Sequence, residues 1–153
     1  RGACNRASIF RPGTIQPGGE AEMANQATVY VVDDEPDVLR ALSRLLRSDG
    51  LATRTFDDPL AFLGQVDEHS RGCVVLDLSM PELDGLAVQR LLAEKGCRLP
   101  IVFLSGNADA AASATAMQQG AVDFLSKPVD GEELLRAVHA ALAADAQARR
   151  GTA

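Results

Sequence analysis

The chain has 153 residues, 46% of them hydrophobic and 24% charged, with a formal net charge of −6. That length suits one domain with a sizeable core and is short for two. The acidic balance argues against direct binding to nucleic acid or to an anionic membrane, and no apolar run approaches the roughly 20 residues that span a bilayer.

Residues 1–25 form a Gly/Pro-rich lead-in, with Arg11-Pro12-Gly13 and Pro17-Gly18-Gly19 and no apolar periodicity. Without an apolar core this segment is not a secretory signal, and it is expected to be disordered. Met23 reads as the natural start, which makes the residues before it a tag or upstream sequence. Regular patterning begins at Thr28. Thr28 to Val32 reads as a buried strand ending in Asp33-Asp34, and Pro36 then opens a helix striped by Val38, Leu39, Leu42, Leu45 and Leu46. Asp49-Gly50 closes that helix. Leu51 to Phe56 is a second strand, followed by an Asp58-Pro59 cap and a helix carrying Leu60, Phe62, Leu63 and Val66.

Cys73 to Leu76 has the length and composition of a strand buried on both faces, and it ends in Asp77. Met80-Pro81 stops further pairing, Asp84 belongs to the turn, and a helix with Leu86, Leu91 and Leu92 runs to Gly96. Pro100 to Leu104 is a fourth strand ending in Ser105-Gly106. An alanine-rich helix over about residues 109–118 has Met117 as its main large apolar residue. Ala121 to Leu125 is the fifth strand and ends in Ser126-Lys127-Pro128. Asp130 with Glu133 starts a last helix striped by Leu134, Leu135, Val138, Ala141 and Leu142, and residues 146–153 read as a linker or tail.

Strands alternating with helices predict a doubly wound α/β domain with a five-stranded parallel sheet and five helices. Cys4, Cys73 and Cys97 are odd in number and lack metal-ligand spacing, and His69 and His139 stand far apart. Both histidines read as solvated surface residues, and the cysteines as reduced thiols of a cytoplasmic protein.

In a parallel sheet the carboxyl ends of all strands open on one edge, and ligands bind where strand order reverses. The flavodoxin-like order 2-1-3-4-5 makes strands one and three neighbours at that crevice, so Asp33, Asp34 and Asp77 converge. Three crowded carboxylates repel unless a cation joins them. Oxygen-only ligands suit Mg²⁺ or Mn²⁺. Lys127 can act as a point charge on a phosphoryl oxygen and the Ser105 hydroxyl can donate to another. Together these groups describe an aspartyl-phosphate site. Taken singly, Asp77 reads as a solvated strand-end acid and Ser105 as a turn serine. The residues leave Phe124 open between core aromatic and switch.

The set Val31-Val32-Asp33-Asp34-Glu35-Pro36, Asp77 to Gly85, Leu104-Ser105-Gly106 and Gly120 to Pro128 resembles the CheY-like receiver domain of two-component response regulators, and is most similar to FixJ-type regulators. The resemblance covers about residues 28–144 and delimits a receiver at 26–145. It implies that Asp77 accepts a phosphoryl group from a histidine kinase or a phosphotransfer protein. It assigns Mg²⁺ to Asp34, to Asp33 through water, to Asp77 and to the Ser79 backbone carbonyl. It further implies that Lys127 pairs with Asp77 and then with the phosphoryl group, that Lys127-Pro128 is cis, and that Ser105 and Phe124 are switch residues. Ser79 and Asn107 occupy positions that tune phosphate lifetime. The fourth helix, fifth strand and fifth helix would form the partner or homodimer surface. The output, transcription through a DNA-binding domain outside this chain or a stand-alone role, stays open.

Two other classes compete with this signalling switch, which would catalyse only its own phosphoryl transfer and dephosphorylation. A haloacid-dehalogenase-type phosphatase needs a second Asp two residues after the nucleophile, where this chain has Ser79. A flavodoxin-like mononucleotide binder needs a glycine- and hydroxyl-rich loop after strand one, where Asp33-Asp34-Glu35 repels phosphate.

Overall fold

The computed structural model describes residues 27–106 and 110–151, so Cys4, the lead-in, Asn107 and Asp109 lie outside the described residues. The strands are β1 (Thr28–Val32), β2 (Thr53–Phe56), β3 (Gly72–Asp77), β4 (Ile101–Ser105) and β5 (Asp123–Ser126). The helices are α1 (Pro36–Ser48), α2 (Pro59–Leu63), α3 (Gly85–Glu94), α4 (Ala110–Gln118) and α5 (Gly131–Gly151). All sheet pairs are parallel, as the alternation of strand and helix patterns predicts, and the order β2-β1-β3-β4-β5 is that of the flavodoxin-like arrangement.

Side chains alternate across a strand, and here both faces are covered. Val29, Val31, Cys73, Val75, Val102 and Leu104 pack against Leu42 and Leu46 of α1 and Leu134, Val138 and Ala141 of α5. Tyr30, Val32, Val74, Leu76, Ile101 and Phe103 pack against Phe62 of α2, Val88 and Leu92 of α3 and Ala116 of α4. Every residue of β3 is buried, which explains its unbroken apolar run. Each fully buried Val, Leu or Phe contributes roughly 1.5–3 kcal/mol, so the sheet is held firmly where it carries polar residues to its edge. Burial also pushes the Cys73 thiol up to about 12, and Cys73 and Cys97 are free, buried thiols that fill core space.

The helix starts follow local chemistry. Asp58 caps α2 by accepting from Leu60 N–H at 3.0 Å. Asp84, read from the sequence as a turn residue, is the N-cap of α3 and accepts from Ala87 N–H at 2.8 Å. Lys127-Pro128 is cis.

Three features differ from the sequence reading. Helix α2 is a single turn, so Leu60 is 59% exposed and Val66 reaches the core from the following loop. Strands β2 and β5 begin at Thr53 and Asp123, each two residues after the expected Leu51 and Ala121. The expected tail from residue 146 is helical, because α5 continues to Gly151. Its extension is anchored by Asp145, which is buried and accepts from Gly72 N–H at 2.9 Å and from Arg149 Nε at 3.0 Å. Arg149 also donates to the Ser70 carbonyl. Arg149, which falls in the stretch read as a linker or tail, is therefore a structural group. Gly72 tolerates no side chain there, since a Cβ would lie 1.9 Å from the Thr28 carbonyl oxygen and its φ is +125°.

Candidate acidic site at the carboxyl edge of the sheet

Strand β1 delivers Asp33 and Asp34 to the same edge at which β3 delivers Asp77, because the two strands pair in register from Thr28 with Gly72 to Val32 with Leu76. Carboxylate oxygens of Asp33, Asp34 and Asp77 lie within 4.8 Å of one another. Asp33 and Asp77 are buried, at 0% and 3% exposure, while Asp34 faces solvent. Burying charged groups costs several kcal/mol unless they are compensated, so the electrostatics of this corner decide its chemistry.

Compensation comes first from Lys127, carried past the end of β5 with its backbone N–H bonded to the Ser105 carbonyl at 2.8 Å. The ammonium lies 2.9 Å from Asp33 Oδ2, 2.9 Å from Glu35 Oε1 and 3.6 Å from Asp77 Oδ1. Burial alone would lower the Lys127 ammonium, but the close carboxylates of Asp33, Glu35 and Asp77 outweigh it and hold it above the usual lysine range. Asp77 is pushed up to about 6, chiefly by burial and then by the Asp33 charge. Lys127 and the Ser79 N–H, which donates to Asp77 Oδ1 at 3.2 Å, oppose that rise, and the neighbouring Asp34 carboxyl adds to it. One cation does not neutralise this many acids.

A second observation shows that the residues present suit a further cation. Asp33 Oδ2 is fully buried and, although close to Lys127, receives no well-aligned hydrogen bond. Buried polar atoms without a partner are uncommon. An all-oxygen set with one solvent-facing member fits a hard divalent ion that keeps part of its water shell. A pocket of about 320 Å³ lies above the cluster, lined by Asp34, Glu35, Asp77, Ser79, Gly106 and Lys127.

The remaining sequence-predicted residues surround this corner. Ser105 ends β4, buried and paired in register with Ser126. Phe124 is half-buried on β5, its ring centroid 6.1 Å from that of Phe103. In α4, Ala116 is fully buried while Met117 is 44% exposed, so little apolar surface holds this helix to the sheet. Two residues of the site were given no such role from the sequence. Glu35 was read only as repelling phosphate, whereas it binds Lys127. Gly85 sits against the back of the Asp77 segment, with its N–H donating to the Leu78 carbonyl at 2.8 Å.

The response regulator receiver domain family matches residues 29–139. The chain belongs to that family. The receiver is 46% identical over 132 residues to response regulator protein TmoT of Ectopseudomonas mendocina, covering 86% of this chain and 59% of that protein. It is 36% identical over 120 residues to transcriptional regulatory protein FixJ of Bradyrhizobium diazoefficiens, covering 78% of this chain and 58% of that one. Among solved structures it is similar to response regulator StyR, with a TM-score of 0.79 and 37% identity over 83% of this chain and 64% of that one. It is also similar to FixJ-N, with a TM-score of 0.71 and 32% identity over 76% and 94% of the two chains. The receiver thus spans about three fifths of the length of these curated relatives. It is the receiver domain of a two-component response regulator, a signalling switch rather than a phosphatase or a mononucleotide binder. No helix among the described residues is long and apolar enough to cross a membrane.

Proposed function

We propose that Asp77 is the phosphoacceptor of this receiver, charged by a histidine kinase or a phosphotransfer protein. The observation that carries this reading is the convergence of Asp33, Asp34 and Asp77 within 4.8 Å, beside Lys127. Asp33, Asp34, Asp77 and the Ser79 backbone carbonyl would hold Mg²⁺, with Mn²⁺ chemically equivalent there. When bound, such an ion supplies the positive charge that lets an anionic carboxylate approach an anionic phosphoryl donor.

The rest falls to the chain itself. A carboxylate oxygen of Asp77 bonds to phosphorus as the donor's P–N bond breaks, and the donor nitrogen keeps that electron pair and takes up a proton. Lys127 follows the charge from the carboxylate to the phosphoryl oxygens, and the Ser105 hydroxyl donates to one of them. Moving Ser105 toward the phosphoryl group opens space beside it, into which the Phe124 ring turns. The loosely held α4 then shifts with it, so that α4, β5 and α5 present a changed surface to a second copy or to an output domain. Since several relatives are named transcriptional regulatory proteins, transcription through a DNA-binding domain is the proposed output, in the cytoplasm.

The test is intact-mass measurement after incubation with acetyl phosphate, with and without Mg²⁺, beside Asp77→Asn. A single phosphoryl adduct that needs the metal and is missing from the variant is expected. An adduct of equal yield on Asp77→Asn would place the acceptor elsewhere.

A further inference from the structure

The Lys127 ammonium makes its closest contacts away from the proposed acceptor. It touches Asp33 and Glu35 at 2.9 Å each, whereas Asp77 stands at 3.6 Å. Asp33 is fixed by burial, but Glu35 is held differently. Its backbone N–H donates to Asp33 Oδ1 at 2.9 Å, which places it at the mouth of the pocket. It also occupies the N-cap position of α1, yet its side chain makes no capping hydrogen bond and reaches Lys127 instead. Helix N-termini favour a nearby carboxylate, so this carboxylate has a competing use and is engaged elsewhere.

We propose that Glu35 is a positioning residue that restrains phosphorylation by holding Lys127 off Asp77 until a phosphoryl group competes for it. The inference rests on Asp77 being the phosphoacceptor. An ammonium has three donors, and Glu35 commits one of them to the solvent side of the pocket. The Glu35 side chain is 60% exposed and that of Lys127 is 16% exposed, so water screens the pair and makes it easily broken. Such a contact slows the approach of Lys127 to an incoming phosphoryl group without blocking it. A dianionic phosphoryl group outcompetes one half-solvated carboxylate, and the contact then yields.

The experiment measures the rate of adduct formation by intact mass in Mg²⁺, using acetyl phosphate and the less anionic phosphoramidate. It compares the native chain, Glu35→Gln and Asp37→Asn. Asp37 is a charge control: its side chain is 92% exposed in the first turn of α1 and pairs with Arg40. Expected is a rise of about two- to fivefold for Glu35→Gln with both donors, the range that a half-exposed ion pair supports, and none for Asp37→Asn. A rise confined to acetyl phosphate, or matched by Asp37→Asn, would mean that Glu35 merely repels the donor and would overturn the proposal, as would an unchanged rate. Failure of the native chain to form any adduct would instead refute the phosphoacceptor reading on which this one stands.

Discussion

Gly85→Ala sets two known effects against each other at the back of the acidic site. Gly85 is the first residue of α3, and alanine is preferred to glycine inside a helix by up to about 1 kcal/mol, less at an end. Against this, a Cβ at Gly85 would lie 2.7 Å from the Asp77 carbonyl oxygen, 2.9 Å from Leu78 Cα and 2.9 Å from Phe103 Cε1. Two of these three atoms are backbone and cannot rotate away, so α3 and the end of β3 must part by roughly half an ångström to restore ordinary contact. Overpacking of this kind costs about 1–3 kcal/mol, and the clash therefore wins by about 1–2 kcal/mol. Since a misplacement near 1 Å costs about a hundredfold in rate, we expect phosphorylation of Asp77 to slow by about tenfold. Urea unfolding and adduct formation in Mg²⁺ check the two halves separately. An unchanged or higher urea midpoint together with a normal rate would show that α3 does not brace Asp77.

The α5 extension predicts that Asp145→Ala, which strands the buried Gly72 N–H and releases Arg149, destabilises the domain by about 2–3 kcal/mol. Asp145→Asn keeps an acceptor for Gly72 and should cost less; equal urea midpoints for the native chain and Asp145→Ala would refute the anchor. The acidic site predicts a pH dependence of stability. Asp77 is pushed up to about 6 in the fold, against about 3.9 in an unfolded chain, so between these values the folded state holds the extra proton and stability falls as pH rises. Without divalent ions, Asp77→Asn should therefore be the more stable protein at pH 7.5, by about 1 kcal/mol after screening by pocket water. The advantage should vanish toward pH 4, and an advantage that persists there would refute this origin.

What could be read from the sequence was what depends on neighbours in the chain. The strand of Cys73 to Leu76 is apolar at every position because both of its faces are covered, and Asp33 and Asp77 stand out because a charge at the tip of such a strand needs partners. Asp145 carries the same kind of signal in weaker form. It falls on the stripe of Leu134, Val138 and Ala141, at helical spacing, and its burial follows from that spacing. From the sequence it reads only as the last residue before a linker or tail, because its partner, Gly72, lies in another part of the chain and no local pattern announces it. Leu60 erred in the opposite sense: its apolar side chain suggested a core position, but a one-turn helix has only one side to bury, and Phe62 and Leu63 take it. The preference of Lys127 for Asp33 and Glu35 over Asp77 is of a third kind, set by a difference between 2.9 and 3.6 Å. Residue types name the charges that meet at a site, while such small distances decide which of them are paired and which are left to react.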